Sequence, residues 1–174
     1  MNIQDNFLNE EEFTKIKEIL SPDGTCLLPW VFTSINSKSI FGAGRILPDD
    51  KYNYYISHLF YDYHNGIGQV TSPFFKMMDP LLAKLQPRSL MRIKANVYFW
   101  KDKFIEHGYH IDFPVDSTTA IFYANTNNGY TKFEDGTIVE SVANRVVTFP
   151  TLTRHTSVNQ TDEAYRIVIN CNYI

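Results

Sequence analysis

Residues 118–140 read TTAIFYANTNNGYTKFEDGTIVE, and the rhythm of this stretch decides the fold class. An apolar run over 118–125 stops at Asn125-Thr126-Asn127-Asn128-Gly129. A second run over 131–134 stops at Glu134-Asp135-Gly136, and a third follows over 137–140. β-Branched and aromatic residues punctuated by Asn, Asp and Gly are the pattern of short strands joined by turns. The same rhythm continues on both sides and predicts further strands over 90–100, 108–113, 145–149, 153–159 and 164–172.

Upstream of Leu90 the pattern differs. Asn9-Glu10-Glu11-Glu12 reads as a capped helix start, and Phe13, Ile16 and Leu20 follow at helical spacing until Ser21-Pro22-Asp23-Gly24. Strands are expected from Cys26 to Phe32 and from Ser39 to Arg45. Tyr52, Tyr55, Ile56, Leu59 and Phe60 fall at i, i+3, i+4, i+7 and i+8, which predicts an amphipathic helix begun by Asp49-Asp50, its aromatic stripe packed on a sheet. Ser72-Pro73 opens a third helix, with Pro80 forcing a kink or a restart capped by Asp79. Helices first and many short strands afterwards predict a mainly β fold with N-terminal helices (α+β), a double-stranded β-helix or jelly roll buttressed by helices. The expected organisation is a single domain over 1–174, with helical support over about 1–89 and the jelly-roll core over about 90–174.

Composition narrows the function classes. The 174 residues include thirteen Phe, eleven Tyr and two Trp, enough for a thick core. A net charge of −3 carries no electrostatic footprint for nucleic acid. No apolar run is long enough to span a membrane, and Met1-Asn2-Ile3-Gln4-Asp5 lacks the basic-then-apolar order of a signal peptide, so a cytoplasmic location is expected. Cys26 and Cys171 are far apart, sit in apolar stretches and read as reduced core residues. The oligomeric state is left open.

The chemistry lies in His110-Ile111-Asp112, followed by His155 and Arg166. Two imidazoles and a carboxylate are the protein side of a facial iron site, which leaves three cis positions of an octahedron open. On a strand His110 and Asp112 share a face while Ile111 points away. Arg166 lies in Tyr165-Arg166-Ile167-Val168-Ile169-Asn170-Cys171, and an arginine on the polar face of an otherwise apolar strand needs an anion. His58 and His64 have no carboxylate at a ligand spacing. His107 falls on the face opposite His110 and reads as a pocket-rim residue. In Arg92-Ile93-Lys94-Ala95-Asn96-Val97-Tyr98, Asn96 and Tyr98 can point inward together.

These motifs resemble the Fe(II)/2-oxoglutarate-dependent dioxygenases, most closely the prolyl 4-hydroxylase-like branch, over 90–174 and more loosely the N-terminal helix. The family pattern of His-x-Asp, a distal His and a later Arg or Lys reads here as His110-Ile-Asp112, His155 and Arg166. Ala120 to Asn125, then Asn128-Gly-Tyr-Thr131-Lys-Phe133, is similar to that branch's apolar strand and Gly-Gly-x-Thr-x-Phe, with Asn128 in place of the first Gly. Arg145-Val-Val-Thr-Phe-Pro150 also looks like that branch. Val168 stands where some relatives carry Ser or Thr. The resemblance implies a hydroxylase with His110, Asp112 and His155 as iron ligands and Arg166 holding the C5 carboxylate of 2-oxoglutarate. Tyr123 and Thr131 become further candidates for that carboxylate. Asn96 and Tyr98, similar to an Asn-x-Tyr of the alkylation-repair branch, would contact the cosubstrate too. It implies Fe(II), 2-oxoglutarate and O2, with ascorbate as a candidate accessory, and yields succinate, carbon dioxide and a hydroxylated product. The competing readings are a cupin-like metal protein that uses no 2-oxoglutarate and a metal-free jelly-roll binding module. The expected substrate is a peptidyl proline, then a small metabolite, with nucleic acid behind both.

Overall fold

The computed structural model describes residues 1–21, 28–34 and 54–174. A short strand, β1 (Asn2–Gln4), leads into α1 (Glu10–Leu20). The start of α1 follows from its sequence: the Asn9 side chain accepts the Glu12 N–H at 2.9 Å, and Glu10, Glu11 and Glu12 face the positive end of the helix. Phe13, Ile16 and Leu20 form its buried stripe. Next come β2 (Val31–Ser34), β3 (Tyr54–His64) and β4 (Ile67–Val70), then a 3-10 turn over Phe75–Met78 that runs into α2 (Asp79–Leu85). Seven strands complete the chain: β5 (Leu90–Phe99), β6 (Thr118–Tyr123), β7 (Tyr130–Phe133), β8 (Ile138–Glu140), β9 (Arg145–Pro150), β10 (His155–Val158) and β11 (Tyr165–Tyr173). These seven match the expected strands to within two residues at each end.

Three expectations need correction. From Tyr54 on, where the described residues resume, the helix predicted around Tyr52 to Phe60 is instead the strand β3, hydrogen-bonded to β2, β4 and β5. Tyr55 and Leu59 face one side of the sheet and Ile56 and Phe60 the other, so a strand covered on both faces imitates one helical stripe. A register shift between Leu59 and Tyr61 adds to the imitation by breaking strict alternation. Its hairpin to β4 turns at Asn65-Gly66, both with positive φ (52° and 81°), the pairing that tight hairpins favour. Second, Asp79 is the first residue of α2 rather than its cap, and Pro80 takes the tolerated first turn after a 3-10 restart. Third, 108–113 is not a strand. Only His110 pairs there, in an isolated bridge with His155, after Gly108 at φ 101°. The predicted strand over 39–45, the helix start at Asp49-Asp50 and Cys26 lie outside the described residues.

Among the described residues the fold is mostly antiparallel β with few helices. The large sheet runs β1-β9-β6-β11-β5-β3-β2, with β4 added to β3; a small sheet runs β10-β7-β8. Alternation then sorts side chains to two faces. On one face Ile93, Ala95, Val97, Phe122, Ile167 and Ile169 pack with Phe13, Ile16 and Leu20 of α1 and with Met78 and Leu81. Each fully buried large apolar side chain there contributes about 1.5–3 kcal/mol. Cys171 is buried in this core, which pushes its thiol up to about 12. On the other face Ile121, Tyr123, Val147, Phe149 and Val168 meet Phe133 and Val139 of the small sheet. No helix of the described residues is long and apolar enough to cross a membrane.

Candidate functional site

A cavity lies on the face turned to the small sheet, and its lining includes His110, His155, Tyr98, Thr131, Ser157 and Arg166. At one end the ligating atoms of His110, Asp112 and His155 lie within 4.8 Å of one another. The His110–His155 bridge brings the two rings to 4.7 Å between centroids, and His110 Nε2 is 3.9 Å from Asp112 Oδ1. Each ring spends its Nδ1 on a backbone carbonyl, His110 on Gly108 O at 3.2 Å and His155 on Thr153 O at 3.0 Å. A carbonyl can only accept, so Nδ1 carries a proton and Nε2 is the nitrogen left to ligate a metal. Burial holds the His110 pKa below its ordinary value, with His155 adding to that, which favours the neutral, ligating form.

Asp112 is oriented from three sides. Arg92 donates to Oδ1 at 3.1 Å, while Asn172 and Thr119 donate to Oδ2 at 2.9 and 3.4 Å. Burial opposes its ionisation, but the Arg92 guanidinium, the two imidazoles and the Asn172 bond hold the carboxyl well below the usual carboxylate range. The triad thus offers a carboxylate and two imidazole Nε2 atoms, a donor set that fits a divalent transition metal.

Arg166 lies at the other end, 1% exposed. Its Nε donates to Ser141 Oγ at 2.6 Å, and its terminal nitrogens donate to Ser157 Oγ at 2.8 Å and Thr131 Oγ1 at 3.3 Å. The rings of Tyr98 and Tyr123 flank the guanidinium at 5.4 and 5.6 Å. No ion pair among the described residues involves Arg166. A buried cation held by neutral hydroxyls is arranged for an anion that arrives from outside. Gly129 permits this placement, since a Cβ there would come within 2.8 Å of Arg166 Cδ.

The other expected residues divide. Tyr98 and Thr131 line the cavity. Tyr123 stands behind Thr131, donating its hydroxyl to Thr131 Oγ1 at 2.8 Å. Asn96 is buried on the same sheet face as Tyr98, opposite Val168, but is not part of the lining. His107 stacks on Tyr98 at 5.4 Å instead of facing away from the site, and burial pushes its pKa down to about 3. His58 is a core residue, bonded to Pro29 O and Ser72 Oγ. Asn128, in place of a glycine, is exposed and exchanges hydrogen bonds with Thr161. Sequence reasoning missed Arg92, Ser141, Ser157 and Asn172. Arg92 was within reach, because it shares the alternation of Asn96 and Tyr98. The two serines carry no local signal, and only strand pairing aims them at Arg166.

By sequence the chain matches no family model and no curated protein. The solved structures are more informative. A 2OG-Fe(II) oxygenase family oxidoreductase from Burkholderia pseudomallei superposes with a TM-score of 0.56 at 13% identity, covering 84% of this chain and 74% of that one. A prolyl hydroxylase from Trichoplax adhaerens, solved with a hypoxia inducible factor oxygen degradation domain peptide, gives 0.56 at 13% identity over 99% and 82%. A Pseudomonas putida prolyl-4-hydroxylase gives 0.50 at 13% identity over 99% and 90%. The fold is that of the 2OG-Fe(II) oxygenases, prolyl hydroxylases among them.

Proposed function

We propose that the protein is an Fe(II)- and 2-oxoglutarate-dependent hydroxylase whose two sheets are the halves of a double-stranded β-helix. The observation that carries this reading is the pairing of a His-Asp-His cluster with a buried, carboxylate-free arginine at opposite ends of one cavity. A cupin-like site without 2-oxoglutarate, or a metal-free binding module, has no use for that arginine.

His110, Asp112 and His155 would hold the iron, each histidine through Nε2. Arg92 and Asn172 keep the Asp112 carboxylate ionised and turned toward the histidines. Arg166 would take the C5 carboxylate of 2-oxoglutarate through its planar fork, with Thr131 adding a hydroxyl. Ser141 and Ser157 fix the guanidinium before the anion arrives, so little ordering remains to be done on binding. Tyr98 and Tyr123 close the cavity around that arginine and exclude water; Asn96 backs the same wall. When bound, iron and 2-oxoglutarate supply the oxygen activation, and this chain supplies position and dryness. The substrate is an organic molecule entering beside the metal end, a peptide or a small metabolite. The cytoplasm is the compartment this reading fits.

The test is anaerobic titration of the protein with Fe(II) and then 2-oxoglutarate, followed by the visible charge-transfer band of the chelate. One band-forming complex per chain is expected for the wild type. His110→Ala should abolish both iron binding and the band. A His110→Ala protein that binds Fe(II) as tightly as the wild type would remove the triad from the mechanism.

A further inference from the structure

Beyond the groups used above, the same sheet face holds a second cation outside every ion pair of the described residues. Along β5, Arg92, Lys94, Asn96 and Tyr98 point to the cavity side, and β11 sets Asn172, Asn170, Val168 and Arg166 opposite them in that order. The order is a ruler. Arg166 and Tyr98 mark the cosubstrate end, whereas Arg92 touches Asp112 and marks the metal end. Lys94 is one alternation from Arg92, about 7 Å along the strand, so it stands level with the metal cluster. Its register partner, Asn170, lines the cavity together with His110 and His155.

Among the described residues Lys94 has one hydrogen-bond partner, the Tyr55 hydroxyl at 3.4 Å, and its ammonium lies 5.4 Å from the centre of that ring. No ion pair among them includes it. Burial and the neighbouring Arg92 push its pKa down to about 8, and an incoming carboxylate would reverse that shift. Beside this cation is an unmatched acceptor. The buried Oδ1 of Asn170, a residue of the cavity lining, has no hydrogen-bond partner among the described residues. A buried carbonyl oxygen without a donor is costly unless a ligand supplies one. An ammonium outside any ion pair, next to a carboxamide oxygen lacking a donor, is complementary to a molecule that carries a carboxylate and an N–H group on neighbouring atoms.

We infer that the substrate is a free α-amino acid, its carboxylate on Lys94 and its amino group donating to Asn170, so that its side chain lies beside the metal cluster. This rests on the hydroxylase reading and replaces the peptidyl proline expected from sequence by a small zwitterion. A peptide bond would remove both features at once, because an internal residue has neither the carboxylate nor the free amine.

The test uses the full chain with Mn(II) in place of iron and saturating 2-oxoglutarate. Binding of the twenty amino acids is measured by calorimetry, and every binder is then compared with its C-terminal amide and its N-acetyl derivative. At least one amino acid should bind, with amide and N-acetyl forms each tenfold weaker or more. Lys94→Met should weaken the acid at least tenfold and erase its advantage over the amide, while Lys94→Arg keeps that advantage and both variants bind 2-oxoglutarate like the wild type. The proposal is overturned if no amino acid binds, if the amide binds as well as the acid, if the preference survives in Lys94→Met, or if proline-rich or acidic peptides bind in preference. Failure of the wild type to bind 2-oxoglutarate is a separate result; it overturns the hydroxylase reading and this one with it.

Discussion

Residues 92–98 alternate between two environments that share a backbone and little else. Ile93, Ala95 and Val97 are fully buried in one apolar cluster with Phe13, Ile16, Leu20 and Phe122. One residue away in each direction, Arg92, Lys94, Asn96 and Tyr98 point to the side of the sheet that carries the cavity, with Arg166, two imidazoles and a carboxylate. The helix-covered face carries the stability of the sheet, since dry apolar burial is the dominant favourable term in folding. The cavity face works against it, with Arg166 and Lys94 desolvated and neither in an ion pair of the described residues. Stability and chemistry are thus separated by a single step along the strand. A fold built on period-two alternation can therefore vary its site without repacking its core.

The comparison makes its strongest demand on the helix-covered side. Phe122 is fully buried and meets Phe13 edge-on at 6.1 Å between ring centroids. Phe122→Ala should cost about 3–5 kcal/mol in urea denaturation while the folded fraction still binds one metal ion. Loss of metal binding in the folded protein with stability unchanged would show that the two faces are not separable.

On the cavity side the effects should have the opposite character. Arg166→Met should weaken 2-oxoglutarate by about 2–5 kcal/mol, read by calorimetry. Its unfolding midpoint without ligand should equal or exceed that of the wild type, because a desolvated cation has been replaced by an apolar chain of similar length. Arg166→Lys should recover part of the affinity, since a point charge lacks the fork. A large fall in stability with 2-oxoglutarate affinity intact would make Arg166 a structural residue.

A smaller effect, in pH, sharpens the same contrast. Lys94 is held down to about 8 in the folded protein against an ordinary 10.5, so between these values the unfolded chain binds more protons. Stability must then rise with pH from about 8 toward 10 and be flat in this respect below 8. The charged and titratable groups around Lys94 are Arg92 of its own strand, Asp112, and Tyr55 of β3, which is itself pushed up to about 12, beyond this window. Urea midpoints at pH 7.5 and 9.5 should differ more in the wild type than in Lys94→Met. Equal differences in the two proteins would place the ammonium in water.

The strands from Leu90 onward were legible because each is bounded by its own turn chemistry, as Asn125 to Gly129 and Glu134-Asp135-Gly136 illustrate. β3 was not, because a strand buried on both faces loses the alternation that identifies strands, and its partners β5 and β2 are distant in sequence. The triad and Arg166 were legible as residue types in order. Their convergence did not need the strand expected at 108–113: one bridge between His110 and His155 achieves it.

By itself, then, the sequence determined what is local: the cap at Asn9, the turn clusters, the apolar alternation, and the residues able to ligate a metal. Only the tertiary structure decided which histidine nitrogen is left free, that Arg92 and Asn172 hold Asp112, that Ser141 and Ser157 hold Arg166, and that Lys94 stands level with the metal cluster. The physical reason is distance along the chain. A hydrogen bond between residues twenty-five or sixty positions apart, as Arg166 to Ser141 and Asn172 to Asp112 are, leaves no mark on either neighbourhood. It exists only once strand pairing has set the register.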